Sequence, residues 1–424
     1  MQMKNKLFSR DFSLVVVGQI VSILGSAILR FALNLYVLDI TGRADIFALV
    51  IAISAIPGIL FSPIGGAIAD RFNRRNLMVI FDFSSSAAVL LLILLLGAGY
   101  ASIAAVTVIL AVLSIISCMY QPTVQASVPI LVSGEKLVSA NGIVSGVGAL
   151  SGLLGPVLGG VLYSLIGLNT LVAMSCFAFF LSAVMEIFIR IPFIKQERDK
   201  NIISTIAHDM KIGIRYVVKE NLQIFKIILL AAALNLFMSP FFVIGVPYIL
   251  RVTMHSSETM YGIGMGIGEL SAILGALLVG IFSKKLKLST LHRVLFLTAV
   301  LILPMAFAVT PMMLGMGYWP SFALFFSFGA AIMLLMTVIS IFVITSVQKE
   351  TPNEMLGKVM AIIMAVSQCA APLGQALYGV AFEQFSAAVY IPVLLACFFT
   401  VVIAFAAKIV LGLQLTKPRG EGAF

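Results

Sequence analysis

The sequence predicts an all-α polytopic membrane protein with twelve spanning helices in two halves of six, and three observations predict it. Of the 424 residues, 61% are hydrophobic and 10% charged, where a soluble domain carries about a quarter charged; mean hydropathy is +1.14. The apolar residues fall into twelve runs, most of about 20 residues or more. That is the helical length of a ~30 Å hydrocarbon core, whereas barrel strands would be short and alternating. Lysine and arginine are also one-sided. With loops alternating from a cytoplasmic N-terminus, Arg43 and Arg251 fall outside and Arg30 lies within a span, leaving 27 − 3 = 24 on the inner side. This positive-inside bias accounts for the net charge of +10, so nucleic acid is excluded as a partner.

In chain order, the spans cover approximately 12–38, 46–68, 76–97, 101–123, 138–166, 169–190, 222–250, 259–282, 291–313, 319–346, 356–382 and 387–411. Lys4, Lys6 and Arg10 imitate the start of a secretory leader, but the run after them is too long for one, so it is read as an uncleaved first span. With an even number of spans both termini share a side. The basic tails (Lys4, Lys6, Arg10; Lys417, Arg419) put that side in the cytoplasm of a bacterial inner membrane. Outer connections are short: Thr41-Gly42, Gly97-Ala98-Gly99 and Gly167-Leu168-Asn169. The one long inner connection divides the chain into a bundle at 1–190, a linker at 191–221 and a bundle at 222–424. Within the linker, Ile202, Ile206, Met210, Ile214 and Val217 recur at helical spacing, which predicts an amphipathic helix on the inner membrane face tethering the halves. The four cysteines (Cys118, Cys176, Cys369, Cys397) lie in spans without paired spacing and read as reduced apolar fillers.

The halves resemble each other weakly, the mark of a duplicated transporter. Tyr36-Val37-Leu38-Asp39-Ile40-Thr41 closes span 1, and Tyr248-Ile249-Leu250-Arg251-Val252-Thr253 closes span 7, at an offset of 248 − 36 = 212. Gly134-Glu135-Lys136-Leu137 before span 5 corresponds loosely to Asn353–Lys358 before span 11. Span 8 ends in Gly280-Ile281-Phe282-Ser283-Lys284-Lys285.

Spans 2 and 3 are joined by Gly65-Gly66-Ala67-Ile68-Ala69-Asp70-Arg71-Phe72-Asn73-Arg74-Arg75. The glycines let another backbone approach, and Asp70 can serve a helix N-terminus or an arginine. The pattern Gly-x-x-x-Asp-Arg-x-x-Arg-Arg resembles the loop between helices 2 and 3 of the major facilitator superfamily of transporters. In span 5, Gly152-Leu153-Leu154-Gly155-Pro156-Val157-Leu158-Gly159-Gly160 removes a backbone donor and side-chain bulk, kinking the helix and permitting close packing. It resembles the Gly-Pro-x-x-Gly-Gly motif of antiporters in that superfamily. Gly18-Gln19 with Ser22 and Gly25, Ala32-Leu33, Thr41-Gly42, Pro122 with Pro129, and Ala140-Asn141-Gly142 look like the macrolide-efflux and siderophore-exporter branch of the drug:proton antiporters. The resemblance covers essentially the whole chain. It implies the major facilitator fold of two pseudo-symmetric six-helix bundles around a cavity exposed alternately to either side. It also implies an inner gate at Gly66, Asp70, Arg71, Arg74 and Arg75, and leak control at Gly152, Gly155, Pro156, Gly159 and Gly160. One departure is that many members of the family it resembles carry an arginine in span 4 tied to proton coupling, where this chain has Leu113 near the expected place and no arginine in the span.

An ionisable group within a span costs roughly 2.5–3.5 kcal/mol at the centre on insertion scales and is a functional candidate by default. Arg30 in span 1 and Glu269 in span 8 are the proton-coupling candidates; they either pair structurally or Glu269 carries the proton. Asp82 and Glu186, near the cytoplasmic ends, are expected to brace the inner loops. Asp39 and Arg251, equivalent in the two halves and opposite in charge, are expected to form an outer gate, against the alternative of two solvated interfacial charges.

With the family architecture, spans 1, 4, 7 and 10 line the cavity. Its polar groups are then Asn34, Gln121, Asn235, Thr337 and Ser340. Among its apolar groups are Tyr36, Phe237, Met238 and Met336, which suit a bulky, variable ligand. No nucleotide-binding loop, metal cluster or nucleophile–base pair is present, so the chain reads as a transporter rather than an enzyme, without cofactor. Its partners are a small-molecule substrate, protons and membrane lipids, and it acts as a monomer. The expected function is export of amphipathic, drug-like molecules by proton antiport. Siderophore or lysolipid export, and a non-transporting sensor on the same fold, remain the alternatives.

Overall fold

A computed structural model describes residues 8–100, 102–132, 136–192, 210–282 and 287–412. Among these are eleven helices long and apolar enough to cross a membrane, and no strand. They are α1 (Arg10–Thr41), α2 (Ala44–Arg71), α3 (Arg74–Gly97), α4 (Ile103–Leu131), α5 (Lys136–Ile187), α6 (Leu222–Thr253), α7 (Glu258–Phe282), α8 (Leu291–Ala308), α9 (Tyr318–Glu350), α10 (Asn353–Gln384) and α11 (Tyr390–Gly412).

Local chemistry sets the boundaries. The Ser9 hydroxyl accepts from the Phe12 N–H at 3.2 Å to open α1, and Asn73, Ser102 and Asn221 open α3, α4 and α6 in the same way. Gly42, at φ 59°, ends α1 with its N–H donating to the Leu38 carbonyl at 2.8 Å.

The fifth and sixth expected spans are one element, α5, whose apolar stretch runs 49 residues. A straight helix of that length would be about 74 Å long, more than two hydrocarbon cores. The chain reverses at Gly167 (φ 72°, ψ 171°), a conformation open to glycine, so α5 supplies two crossings and the total is twelve. The basic stretch after span 2 likewise departs from the expected loop. Gly65–Arg71 finish α2 and Arg74 begins α3, so only Phe72 and Asn73 lie between helices. In α6, wide turns at Phe241–Gly245 and Ile249–Thr253 follow Pro240 and flank Pro247, where a missing donor forces the backbone to re-pair.

The described chain forms two compact units: one from within 1–206 together with Leu250–Gly266, the other from within 207–249 and Ile267 onward. In the first, α1 packs along α5, α3 along α5 and α4, and α2 along α4. Its cores gather Phe12, Met78, Tyr120 and Val124 at one level and Leu29, Leu33, Leu110 and Phe179 at another. In the second unit, α8 packs on α9 and α11, and α10 on α6, around Ile224, Ile227, Leu295, Val359 and Ala404. Lipid tails are as apolar as leucine, so such helices associate through close van der Waals packing rather than a hydrophobic drive. The perimeter is left to side chains such as Leu94, Leu277 and Phe398, each more than half exposed.

Of the expected linker helix, Ile202 and Ile206 lie outside the described residues. From Met210 onward the linker is helical, with Ile214 exposed. Val217 is buried in the second unit's core, with Met210 packed against it. Gly134, Glu135, Ser283–Lys285, Lys4, Lys6, Lys417 and Arg419 also lie outside the described residues.

Candidate functional site

The glycine-proline stretch of α5 lies in a tight junction of the first unit. A Cβ on Gly155 would fall 2.6 Å from that of Ala27, and one on Gly159 would fall 2.7 Å from the Phe31 ring. Gly160 faces the first turns of α7: a Cβ there would meet the Glu258 carbonyl, and one on Gly262 would lie 2.5 Å from the Pro156 carbonyl. Backbones thus touch directly, and Phe31 stacks on Tyr261 at 4.8 Å to seal the junction. Gly152 lines the cavity described below.

At one end of this junction Arg251 pairs with Asp39 at 2.7 Å and with Glu258 at 3.2 Å. It also donates to the Ser256 carbonyl. The Arg251 side chain is 14% exposed and Asp39 23%, so this is a partly desolvated network rather than two solvated charges. The sequence pairing of Asp39 with Arg251 omitted Glu258, which sits seven residues beyond Arg251.

A cavity of about 280 Å³ lies within the first unit, lined by Arg30, Asp82, Ser22, Ser117, Gln121 and Gly152 among others. Arg30 donates to the Leu113 carbonyl and to the Ser117 hydroxyl, both at 2.9 Å, and to Ser26 at 3.3 Å. Its guanidinium therefore reaches from α1 onto the stretch of α4 where the family resemblance would place an arginine.

Asp82 and Glu186 depart from the expected bracing role. Both are buried, at 1% and 0% exposure. The Ser22 hydroxyl donates to Asp82 Oδ1 at 2.7 Å, the Tyr120 hydroxyl to Glu186 Oε1 at 2.8 Å, and Ser182 to the Gly18 carbonyl at 3.0 Å. The adjoining helix ends are tied by other groups: Arg75 donates to the Ile187 carbonyl at 2.5 Å, and Asp11 accepts from the Arg190 N–H at 3.1 Å. Arg71 sits exposed in the last turn of α2, with Arg74 and Arg75 in the first turn of α3. The placement of Gly66 and Asp70 beyond their helical backbone lies outside what is described.

The second unit holds a larger cavity, about 470 Å³, walled by Asn235, Met238, Met333, Met336, Thr337 and Ser340, with Phe242. Asn235 donates to the Ala231 carbonyl at 3.0 Å. Phe237 does not line this cavity; it stacks on Phe399 at 4.1 Å and packs against the core. Helical phase explains this, because Asn235 and Met238 share a face from which Phe237 is turned away. Gln121 belongs to the first cavity, Tyr36 packs on the first unit's core, and Asn34 is half-buried on α1. The sequence reading missed Ser367 and Gln368 of α10, which also wall the second cavity; an adjacent polar pair inside an apolar span was the available signal. Glu269, on α7, is exposed and forms no hydrogen bond or ion pair among the described residues. None of His, Cys, Asp and Glu cluster as a metal site among the described residues.

Residues 15–375 match the Major Facilitator Superfamily. Macrolide efflux protein A of Streptococcus pyogenes is 24% identical over 369 residues, covering 86% of this chain and 87% of that protein. Among solved structures, the chain is similar to a mutant of the nucleoside transporter NupG, with a TM-score of 0.74 at 12% identity, covering 94% of this chain and 99% of that one. It is also similar to a bacterial homologue of the iron transporter ferroportin in its inward-facing state, with a TM-score of 0.70 at 18% identity, covering 93% and 98%. These relatives and neighbours are transporters, and the match extends over spans from both halves of the duplicated sequence, from the buried first helix to the Met-lined cavity's α10. The chain belongs to the major facilitator superfamily.

Proposed function

We propose that this chain exports amphipathic, largely apolar small molecules of the macrolide type by proton antiport across a bacterial inner membrane, with both termini in the cytoplasm. The observation that carries the reading is the second unit's cavity of about 470 Å³, walled by flexible methionines, aliphatic side chains and Phe242 around a few amides and hydroxyls. Such a lining adapts to bulky ligands of varied shape, while sparse polar groups fix orientation. Similarity to a macrolide efflux protein supports the same substrate class.

In this reading the two bundles rock to expose the ligand alternately to either side. Gly66, Asp70, Arg71, Arg74 and Arg75 govern the inner gate, and the Asp39–Arg251–Glu258 network holds the outer one. The Gly155–Gly160 junction limits leakage. Arg30 and Glu269 take part in proton coupling.

The test is purified protein in liposomes holding a pH-sensitive dye, challenged with macrolides, lipophilic cations and lysolipids. Proton movement that depends on a macrolide or another bulky amphipath is the expected result, and Glu269→Gln should abolish it in folded protein. Silence across the panel would overturn drug export in favour of siderophore or lipid export, or of a sensor.

A further inference from the structure

The first unit contains two carboxylates that the transport reading leaves without a task. Asp82 of α3 and Glu186 of α5 are buried, and among the described residues neither forms an ion pair. One oxygen of each, Asp82 Oδ2 and Glu186 Oε2, has no hydrogen-bond partner. The Asp82 side chain lines the cavity of about 280 Å³. A structural carboxylate in an apolar interior is normally matched by a cation or saturated with donors, since a lone buried charge is very costly.

The groups between the two acids are hydroxyls. Ser22 donates to Asp82 Oδ1 at 2.7 Å and Tyr120 donates to Glu186 Oε1 at 2.8 Å. Ser22, Tyr120 and Asp82 all line the cavity, and the Ser182 hydroxyl is taken by the Gly18 carbonyl. Asp82 therefore meets the cavity directly, and Glu186 meets it through the Tyr120 hydroxyl. The titratable and charged groups facing it are Arg30 from α1, which shares the cavity with Asp82, and Tyr120 and Cys118 from α4. Arg30 is held by Ser26, Leu113 and Ser117.

We propose that Asp82 and Glu186 form a proton-binding site of the first unit, holding one proton between them and exchanging it with the Arg30-lined cavity through Asp82 and Tyr120. A proton arriving from the cavity binds the Asp82 carboxylate directly, or is taken up at the Tyr120 oxygen as the phenolic proton crosses to the Glu186 carboxylate; the reverse sequence resets the site. Two buried carboxylates, each with one oxygen unpartnered and neither in an ion pair among the described residues, are costly to keep doubly charged. The coupling role of the site rests on the export reading; its existence does not.

The experiment is infrared difference spectroscopy of the full-length protein in lipid after a pH jump, which reads carboxylic-acid carbonyl bands with protons as the only probe. The wild type should show a band that changes with pH. Asp82→Asn and Glu186→Gln should each shift or remove it, the double variant should abolish it, and Glu269→Gln should leave it in place. Each variant is checked for monodisperse elution. If the Asn variant does not fold, Glu186→Gln and Tyr120→Phe, which keeps both acids, decide. A band unchanged in the double variant, a band lost only with Glu269, or no band at all overturns the proposal.

In liposomes, labelled erythromycin separates site from function. Glu186→Gln should reduce proton-driven accumulation about tenfold or more while leaving counterflow within about twofold, the signature of lost coupling rather than lost ligand binding. Loss of both together would also overturn it. A wild type that moves no probe would sink the export reading while the spectra still decide the site.

Discussion

The two cavities are built on different principles. That of the first unit, about 280 Å³, is walled by an arginine, an aspartate and hydroxyls, with Arg30 held by Leu113 and Ser117 of α4 and Asp82 by Ser22 of α1. That of the second unit, about 470 Å³, is walled by methionines and aliphatic side chains, and its Asn235 bonds only to its own helix. In the first, position matters to a few tenths of an ångström, because buried polar groups are costly unless met. In the second, methionine chains can re-pack around whatever occupies them. The difference teaches that one fold can hold an exacting polar pocket in one unit and a permissive apolar one in the other, a contrast that fits the division of labour proposed above.

That contrast can be broken most severely at the junction beside the first cavity. Gly160→Val should destabilise the protein by about 3 kcal/mol, because the new side chain meets the Glu258 backbone rather than a movable side-chain tip; thermal unfolding in detergent measures it, and a small loss would mean the junction yields. Arg30→Ala comes next, at about 2 kcal/mol for several lost charged hydrogen bonds. Arg30→Lys should recover little of this, since a lysine cannot span the Leu113 carbonyl and Ser117 together. A double-mutant cycle on Asp39 and Arg251, read by the same melts, should give a coupling of about 1 kcal/mol for a partly exposed pair. The smallest effect should come from the permissive side. Met336→Leu should change stability by less than about 1.5 kcal/mol yet alter the rank order of transported compounds in the liposome assay. If Met336→Leu were as damaging as Arg30→Ala, the two cavities would not differ in kind.

Much of the architecture was legible because hydropathy and lysine–arginine asymmetry act on each segment separately. The reversal at Gly167 was visible too, as the only glycine between two runs that together far exceed a membrane. The first cavity was harder. Asp82 and Glu186 look like membrane-edge charges when each helix is taken alone. Their burial depends on Ser22 and Tyr120, 60 and 66 residues away along the chain, and no local pattern encodes that pairing. Phe237 is the opposite case. The i, i+3 relation of Asn235 and Met238 already turned it away from their face, so helical phase, applied strictly, would have removed it. The Asp39–Arg251 contact was found through the 212-residue offset between the halves, a signal that speaks of ancestry and happens to mark a meeting point.

The one-residue reversal at Gly167 also fixes how α5 can behave as a mechanical part. Residues 166 and 168 can be no more than about 7 Å apart at the Cα atoms, so the joined ends of its two arms have no slack. One arm carries the glycine-proline junction and the other carries Glu186. Whatever displaces the tip of one arm drags the tip of the other, and α5 works as a single bent lever. A flexible insert after Gly167 would cut that lever while leaving every side chain of both arms in place.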